Sequence, residues 1–254
     1  MIEAFLSRAL LAAIRIGGLM TFAPFFGNGA LPNPVKAVLT LTLTVLVLPV
    51  YATGTAPTAA SIGSWAGMGL SELAMGMMAG LATQFVFDGM ELGGQIVGFQ
   101  FGFSLANVID PNSQVEITVL SSLYELVALL VFMNLGVHRA ILRAVAASFQ
   151  MVPLGSLANA RLPASELLRM SGAMWLVGAE IAFPVLLATL LVDLTIGFVT
   201  KASPQFPALF VGLSMKILLG LALLYATVEF WPQLLERYFS HAVSGMERLL
   251  TIAH

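Results

Sequence analysis

Long apolar runs separated by short polar or Gly/Pro breaks extend from one end of the chain to the other. The first run covers residues 9–26 and carries Arg15 in its middle. Gly27-Asn28-Gly29 and Pro32-Asn33-Pro34 then interrupt it, because clustered Gly and Pro punctuate helices. The second run, 35–51, is rich in Leu, Thr and Val, and the uncharged 52–61, with Gly54 and Pro57, reads as a loop. The third, 62–87, has small residues at Gly63, Gly67, Ser71, Gly76 and Gly80, and holds Glu72. A shorter glycine-rich helix and a polar loop follow within 89–114. The fourth run, 115–137, carries Glu116 and Glu125. Residues 138–169 are the most polar region, with an amphipathic piece at 141–152. The fifth run, 172–199, contains Glu180, Pro184 and Asp193. The loop 201–207 leads to the sixth, 208–230, which includes Lys216. The tail, 232–254, has helical period: Leu235, Tyr238, Phe239, Ala242, Met246 and Leu249 share one face, and Gln233, Arg237, Ser244, Glu247 and Arg248 the other.

A membrane-crossing helix needs roughly 20 apolar residues. The pattern therefore predicts an all-α integral membrane protein of about six long hydrophobic helices, a short glycine-rich helix and its loop, and an amphipathic tail. In the glycine-rich helix, Gly94, Gly98, Gly102 and Ala106 recur every four residues. That spacing makes a smooth stripe on one helical face, and such stripes let helices approach closely where no water is present. The pattern stops at Asp110-Pro111-Asn112-Ser113, where Pro111 disfavours a helical Asp110.

Composition sharpens this reading. Only 9% of the 254 residues are charged and 59% are hydrophobic, with a mean hydropathy of +0.94. A soluble domain carries about 25% charged residues, so this chain could not cover a surface facing water. Glu3 and Arg15 argue against a cleaved signal peptide, so the first run is expected to stay. With six spans, Arg8, Arg139, Arg143, Arg161, Arg169, Arg237 and Arg248 fall on one side against Lys36 and Lys201 on the other, which favours both ends in the cytoplasm.

Several chemistries find no support. The chain has no cysteine and no basic cluster suited to nucleic acid, and it lacks P-loop, HExxH and GxSxG motifs. His138, His241 and His254 are far apart, so no metal or cofactor is expected and the chain reads as a non-enzyme. The ionisable residues inside apolar runs are Arg15, Glu72, Asp88, Glu91, Glu125, Glu180, Asp193 and Lys216. Each costs at least about 2.5–3.5 kcal/mol at a bilayer centre. They could form a proton or ion path, pair within or between subunits, or lie in segments that do not face lipid; pairing is the commoner fate of buried charge. Met68, Met75, Met77, Met78 and Met90 are read first as core filling, and otherwise, with Phe99, Phe101 and Phe103, as a compliant collar around a pore.

Four stretches, taken in order, carry a family resemblance. GQIVGFQFGFSLANVIDPNSQ (94–114) resembles the signature of the FliR/SctT family, export-gate subunits of flagellar and virulence type III secretion systems. RIGGLMTFAPFFG (15–27), followed by Pro34 and Lys36, is similar to the family's first helix. NLGVHRAILRAVAASFQMVPLG (134–155) is similar to its segment with an Asn, a basic pair and an SF-x-x-x-P-x-G ending. LLVDLTIGFVTKASPQFPALFVGLSMKILLG (190–220) resembles its last hairpin. The hairpin departs from the family pattern at Phe206-Pro207-Ala208 and at Ser214, which replaces a proline.

The resemblance implies a FliP-like part over 1–170, with the plug-bearing segment at 89–114, and a FliQ-like hairpin with an amphipathic tail over 171–254. It implies a subunit of the flagellar export gate in the bacterial inner membrane, within the basal body. The implied partners are FliP and FliQ, FlhB, proximal rod proteins, unfolded export substrates and membrane lipid. It also implies a pore plug at Phe103, Ser104, Leu105, Ala106, Asn107, Val108, Ile109, Asp110, Pro111 and Asn112. The competing readings are an independent proton-coupled transporter or channel, a virulence-system homologue, and a membrane scaffold without a pore role. A transporter should show two related halves with matching broken helices, and the sequence shows no such duplication.

Overall fold

The computed structural model describes residues 2–24, 26, 32–51, 61–103, 119–156 and 164–252. Among the described residues the helices are α1 (Ile2–Phe22), α2 (Asn33–Tyr51), α3 (Ile62–Gln100), α4 (Val119–Asn134), α5 (Val137–Met151), α6 (Ala164–Ala202), α7 (Ala208–Thr227) and α8 (Trp231–Ile252), with a 3-10 turn at Val228–Phe230 between the last two and no strand. Five of these helices are long and apolar enough to cross a membrane, or six if α4 and α5 count as one bent span. The chain is an all-α integral membrane protein.

Three features differ from the sequence pattern. The third apolar run and the glycine-rich helix form one continuous helix, α3, of 39 residues. No proline separates them, and the glycines at the expected junction sit at close helix contacts that offset their poor helix propensity of about 1 kcal/mol. The fifth run likewise extends into the polar region, giving α6 39 residues with Pro184 inside it. At 1.5 Å per residue each helix is about 58 Å long, roughly twice the hydrocarbon thickness of a bilayer. Finally, α4 and α5 are bent by 64° at Leu135–Gly136, where Gly136 takes a left-handed φ of 67° that disfavours side chains with a Cβ.

The chain forms two compact packing units, interleaved along the sequence. The first comprises Met1–Phe85, Phe132–Gly172 and Phe239–His254. Its core includes Leu11, Ile16 and Leu19 of α1, Met75 and Met78 of α3, and Ile141 and Phe149 of α5, with the ring of Phe239 on that of Phe132 at 5.5 Å. Here α1 and α3 touch backbone to backbone. A Cβ added at Gly76 would overlap the Arg15 carbonyl, and one added at Gly18 would lie 2.7 Å from the Leu73 carbonyl oxygen. The second unit comprises Val86–Val131 and Ala173–Tyr238. Phe87, Met90, Val97, Tyr124, Val177, Ile181 and Trp231 are among its buried residues, and the Tyr124 and Trp231 rings are 4.5 Å apart. In this unit α3 and α6 cross at glycines, a Cβ on Gly178 falling 3.1 Å from the Gly89 carbonyl oxygen. Met75, Met78 and Met90 are core residues.

Candidate functional site

The largest polar group buried among the described residues is Arg15, 1% exposed. It lies on α1 one turn before Gly18, and the glycine contacts with α3 bring its guanidinium level with Glu72, itself fully buried. Arg15 Nε donates to Glu72 Oε2 at 2.5 Å. Its two terminal nitrogens donate to Ser148 Oγ and to the Val152 carbonyl, each at 3.1 Å. The face of the guanidinium covers the Phe149 ring, 4.6 Å from its centre. Glu72 uses its other oxygen to accept the Gly155 N–H at 2.8 Å. Gly155 has a φ of 80°, so a side chain there would be strained. The pair thereby joins α1, α3, α5 and the turn after α5.

This arrangement is a hydrogen-bonded strut. Each carboxylate oxygen of Glu72 has a donor, and Arg15 has acceptors on three sides. The adjoining cavity, lined by Met75, Gly76, Ala79 and Met246 together with Arg15, Val145 and Ser148, is about 10 Å³, room for no more than one water. A proton path needs groups that exchange partners, and these two are locked. A buried pair of this kind contributes little net stability, because desolvation offsets its attraction, but losing one partner is severe. Sequence reading picked out Arg15 and Glu72 separately. The partners it missed, Ser148, Phe149 and Gly155, are the Ser, Phe and Gly of the SF-x-x-x-P-x-G stretch.

The other charges behave differently. Glu180 Oε2 meets Arg237 at 2.7 Å, and Asp193 meets Lys216 at 2.6 Å. These pairs tie α6 to α8 and α6 to α7, but the Glu180 and Asp193 side chains are 41% and 52% exposed. Within the chain itself, then, these two acids are not buried. The reason is that α6 buries a single stripe, Val177, Ile181, Val185 and Thr189, and both acids lie off it. Lys216, Glu125, Asp88 and Glu91 are half-buried, and Glu91 accepts a hydrogen bond from Gln95 at 3.0 Å. Tyr124 Oη and His138 Nδ1 are buried without a hydrogen-bond partner.

The glycine stripe is shorter than its spacing predicts. Gly94 packs on α4, where an added Cβ would come 2.6 Å from Ser121 Cα, and Gly98 is buried. Gly102 is not on the helix at all. It has φ 78°, its N–H bonds the Phe99 carbonyl at 3.0 Å, and the Phe103 N–H bonds the Gly98 carbonyl at 3.1 Å. Those two bonds define a Schellman helix end with glycine in the left-handed position. The third glycine of the series thus ends the helix, a role that period-four spacing does not reveal. Phe101 is buried, whereas Phe99 and Phe103 are exposed, so the three phenylalanines do not share a face. Of the expected plug, Phe103 is described; Ser104 to Asn112 lie outside the described residues, as does Ala106 of the stripe.

Comparison with known proteins places these features. Residues 6–242 match the family described as bacterial export proteins, family 1. The chain belongs to this family of bacterial export proteins. Arg15, Glu72, Ser148, Gly155 and the glycine crossings all lie within the matched span. The chain is similar to the flagellar biosynthetic protein FliR of Pectobacterium carotovorum subsp. carotovorum, with 26% identity over 94% of this chain and 90% of the relative. It is 25% identical to FliR of Escherichia coli K12 over 89% of this chain and 86% of that protein. FliR of Bacillus subtilis 168 is 25% identical over 96% and 94% respectively. Membership of the export family fits a chain whose strongest polar site is a structural strut.

Proposed function

We propose that this chain is a non-enzymatic subunit of the flagellar type III export gate in the bacterial inner membrane. The observation that carries the proposal is the match to an export-protein family over residues 6–242. The geometry is consistent with it. In α2 and in the stretch from α7 to α8, only 11% of the most apolar window is buried within the chain. Those faces need other subunits or lipid. Helices about twice as long as a bilayer is thick also suit an assembly that extends beyond the membrane plane.

In this reading, residues 1–170 act as the FliP-like part and 171–254 as the FliQ-like hairpin. FliP and FliQ cover the open apolar faces, FlhB and proximal rod proteins adjoin the gate, and unfolded flagellar proteins pass through it. The segment from Phe103 to Asn112 plugs the channel at rest. It begins where α3 ends at the glycine of its Schellman turn. The proton-coupled transporter is the weaker reading, because the most deeply buried ion pair is held by partners on three elements of the same packing unit.

Replacing the resident FliR gene of a motile bacterium with this one, alongside the matching FliP and FliQ genes, is the direct test. Restored flagellar protein export and co-purification with FliP and FliQ are expected. A stable protein that neither restores export nor joins the other subunits would refute the proposal. The plug is tested separately: removing Val108 to Asn112 should raise leakage of small solutes through an assembled gate, and unchanged leakage would remove that assignment.

A further inference from the structure

On α7 the described buried residues are glycines alone, Gly212 and Gly220. Many of its large side chains, among them Leu209, Phe210, Leu218 and Tyr225, are exposed, and none is buried. Each buried glycine receives a side chain from elsewhere in the same packing unit. At Gly212 the Ile196 methyl lies 3.1 Å from where a Cβ would be. At Gly220 the Phe101 ring occupies the Cβ position itself. Phe101 is 1% exposed and sits immediately before Gly102, the residue that ends α3. Its ring meets that of Phe103 edge-on, with centres 6.1 Å apart.

We propose that the Phe101 ring, seated in the notch at Gly220, couples the position of α7 to the exit of the chain from α3. Gly220 is then a positioning residue. Without a Cβ it lets the ring lie against the α7 backbone, and the ring in turn holds the Gly102 turn and the Phe103 side chain. Because α7 buries so little else, a neighbour that shifts it moves the notch. Displacing the ring leaves Phe103, already 45% exposed, with no aromatic partner.

The absence of cysteine from the chain makes the test direct. Phe103→Cys introduces its sole thiol, and the readout is the rate of maleimide modification in the assembled complex. Adding Gly220→Ala should raise that rate several-fold, whereas Gly197→Ala, where a Cβ meets nothing within 4 Å, should leave it unchanged. Trimming the ring with Phe101→Leu in the Gly220→Ala background should bring the rate back towards the parent value. If Gly220→Ala instead prevents assembly, Phe101→Leu should restore it. An unchanged rate with Gly220→Ala, or no rescue by Phe101→Leu of either defect, would overturn the coupling.

Discussion

Arg15 is the side chain with most to lose from a single change. A guanidinium with only 1% exposure has no access to water, so its donors depend on Glu72, Ser148 and the Val152 carbonyl. Glu72→Leu leaves that charge uncompensated and should destabilise the first packing unit by about 3–5 kcal/mol. Replacing both partners, Arg15→Met with Glu72→Leu, removes both charges and should cost clearly less than either single change. The measurement is thermal unfolding of the purified, detergent-solubilised assembly. A double variant as unstable as the sum of the singles would show that the pair is not a closed unit. Ser148→Ala probes the edge of the same network. It removes one acceptor of a charged donor, an interaction of about 1.5–3 kcal/mol, and leaves the Glu72 contact in place.

At the scale of the helix, the glycines of α3 are not equivalent. Gly76→Ala pushes a methyl group onto the Arg15 carbonyl, which is backbone and cannot rotate away, so α1 and α3 must separate. Overpacking of this kind costs about 1–3 kcal/mol or more. Gly67→Ala, in the same helix, meets nothing within 4 Å and should be neutral or stabilise by up to about 1 kcal/mol through helix propensity alone. The amount accumulating in membranes and the melting temperature should therefore fall for Gly76→Ala and hold or rise for Gly67→Ala. Sequence alone could not rank these positions. It showed small residues at Gly67, Gly76 and Gly80, but which face meets a neighbour depends on the partner helix. The same limit applies in the second unit: the spacing of Gly94, Gly98 and Gly102 pointed to one stripe, whereas Gly89 also meets Val177, and Gly102 has left the helix. The amphipathic tail was easier to read, because its buried residues Leu235, Phe239, Ala242 and Met246 follow the helical period directly. The helix count was nearly legible for the same reason, and the junction at 87–89 was not, since glycine weakens a helix without forbidding it.

Over the whole molecule, the balance of covered and uncovered apolar surface decides how the chain should behave on its own. Val38, Val45 and Leu46 on α2, Leu168, Trp175 and Phe198 on α6, and Phe210 and Tyr225 on α7 are all at least 60% exposed. A lone bundle in a bilayer could face these residues to lipid. The helices of about 58 Å could not be matched to one bilayer thickness without tilting or projecting from it. The exposed Asp193 lies well along α6, among those apolar residues, held by one lysine. Lipid around such a pair gives no replacement for water, whereas a neighbouring subunit can. The chain expressed alone should therefore be scarce or aggregated in membranes, and co-expression with FliP and FliQ should raise its detergent-extractable, monodisperse fraction several-fold. Asp193→Asn should lower that co-expressed fraction only slightly, because the asparagine carbonyl still accepts a hydrogen bond from Lys216 while the ion pair is lost. Glu72→Leu should reduce it even with partners present, since the strut lies inside the first packing unit and no neighbour can replace it. Size-exclusion profiles of the four preparations (chain alone, chain with partners, and the two variants with partners) separate these outcomes. A monodisperse lone chain with the same yield as the co-expressed one would show that its apolar faces need only lipid.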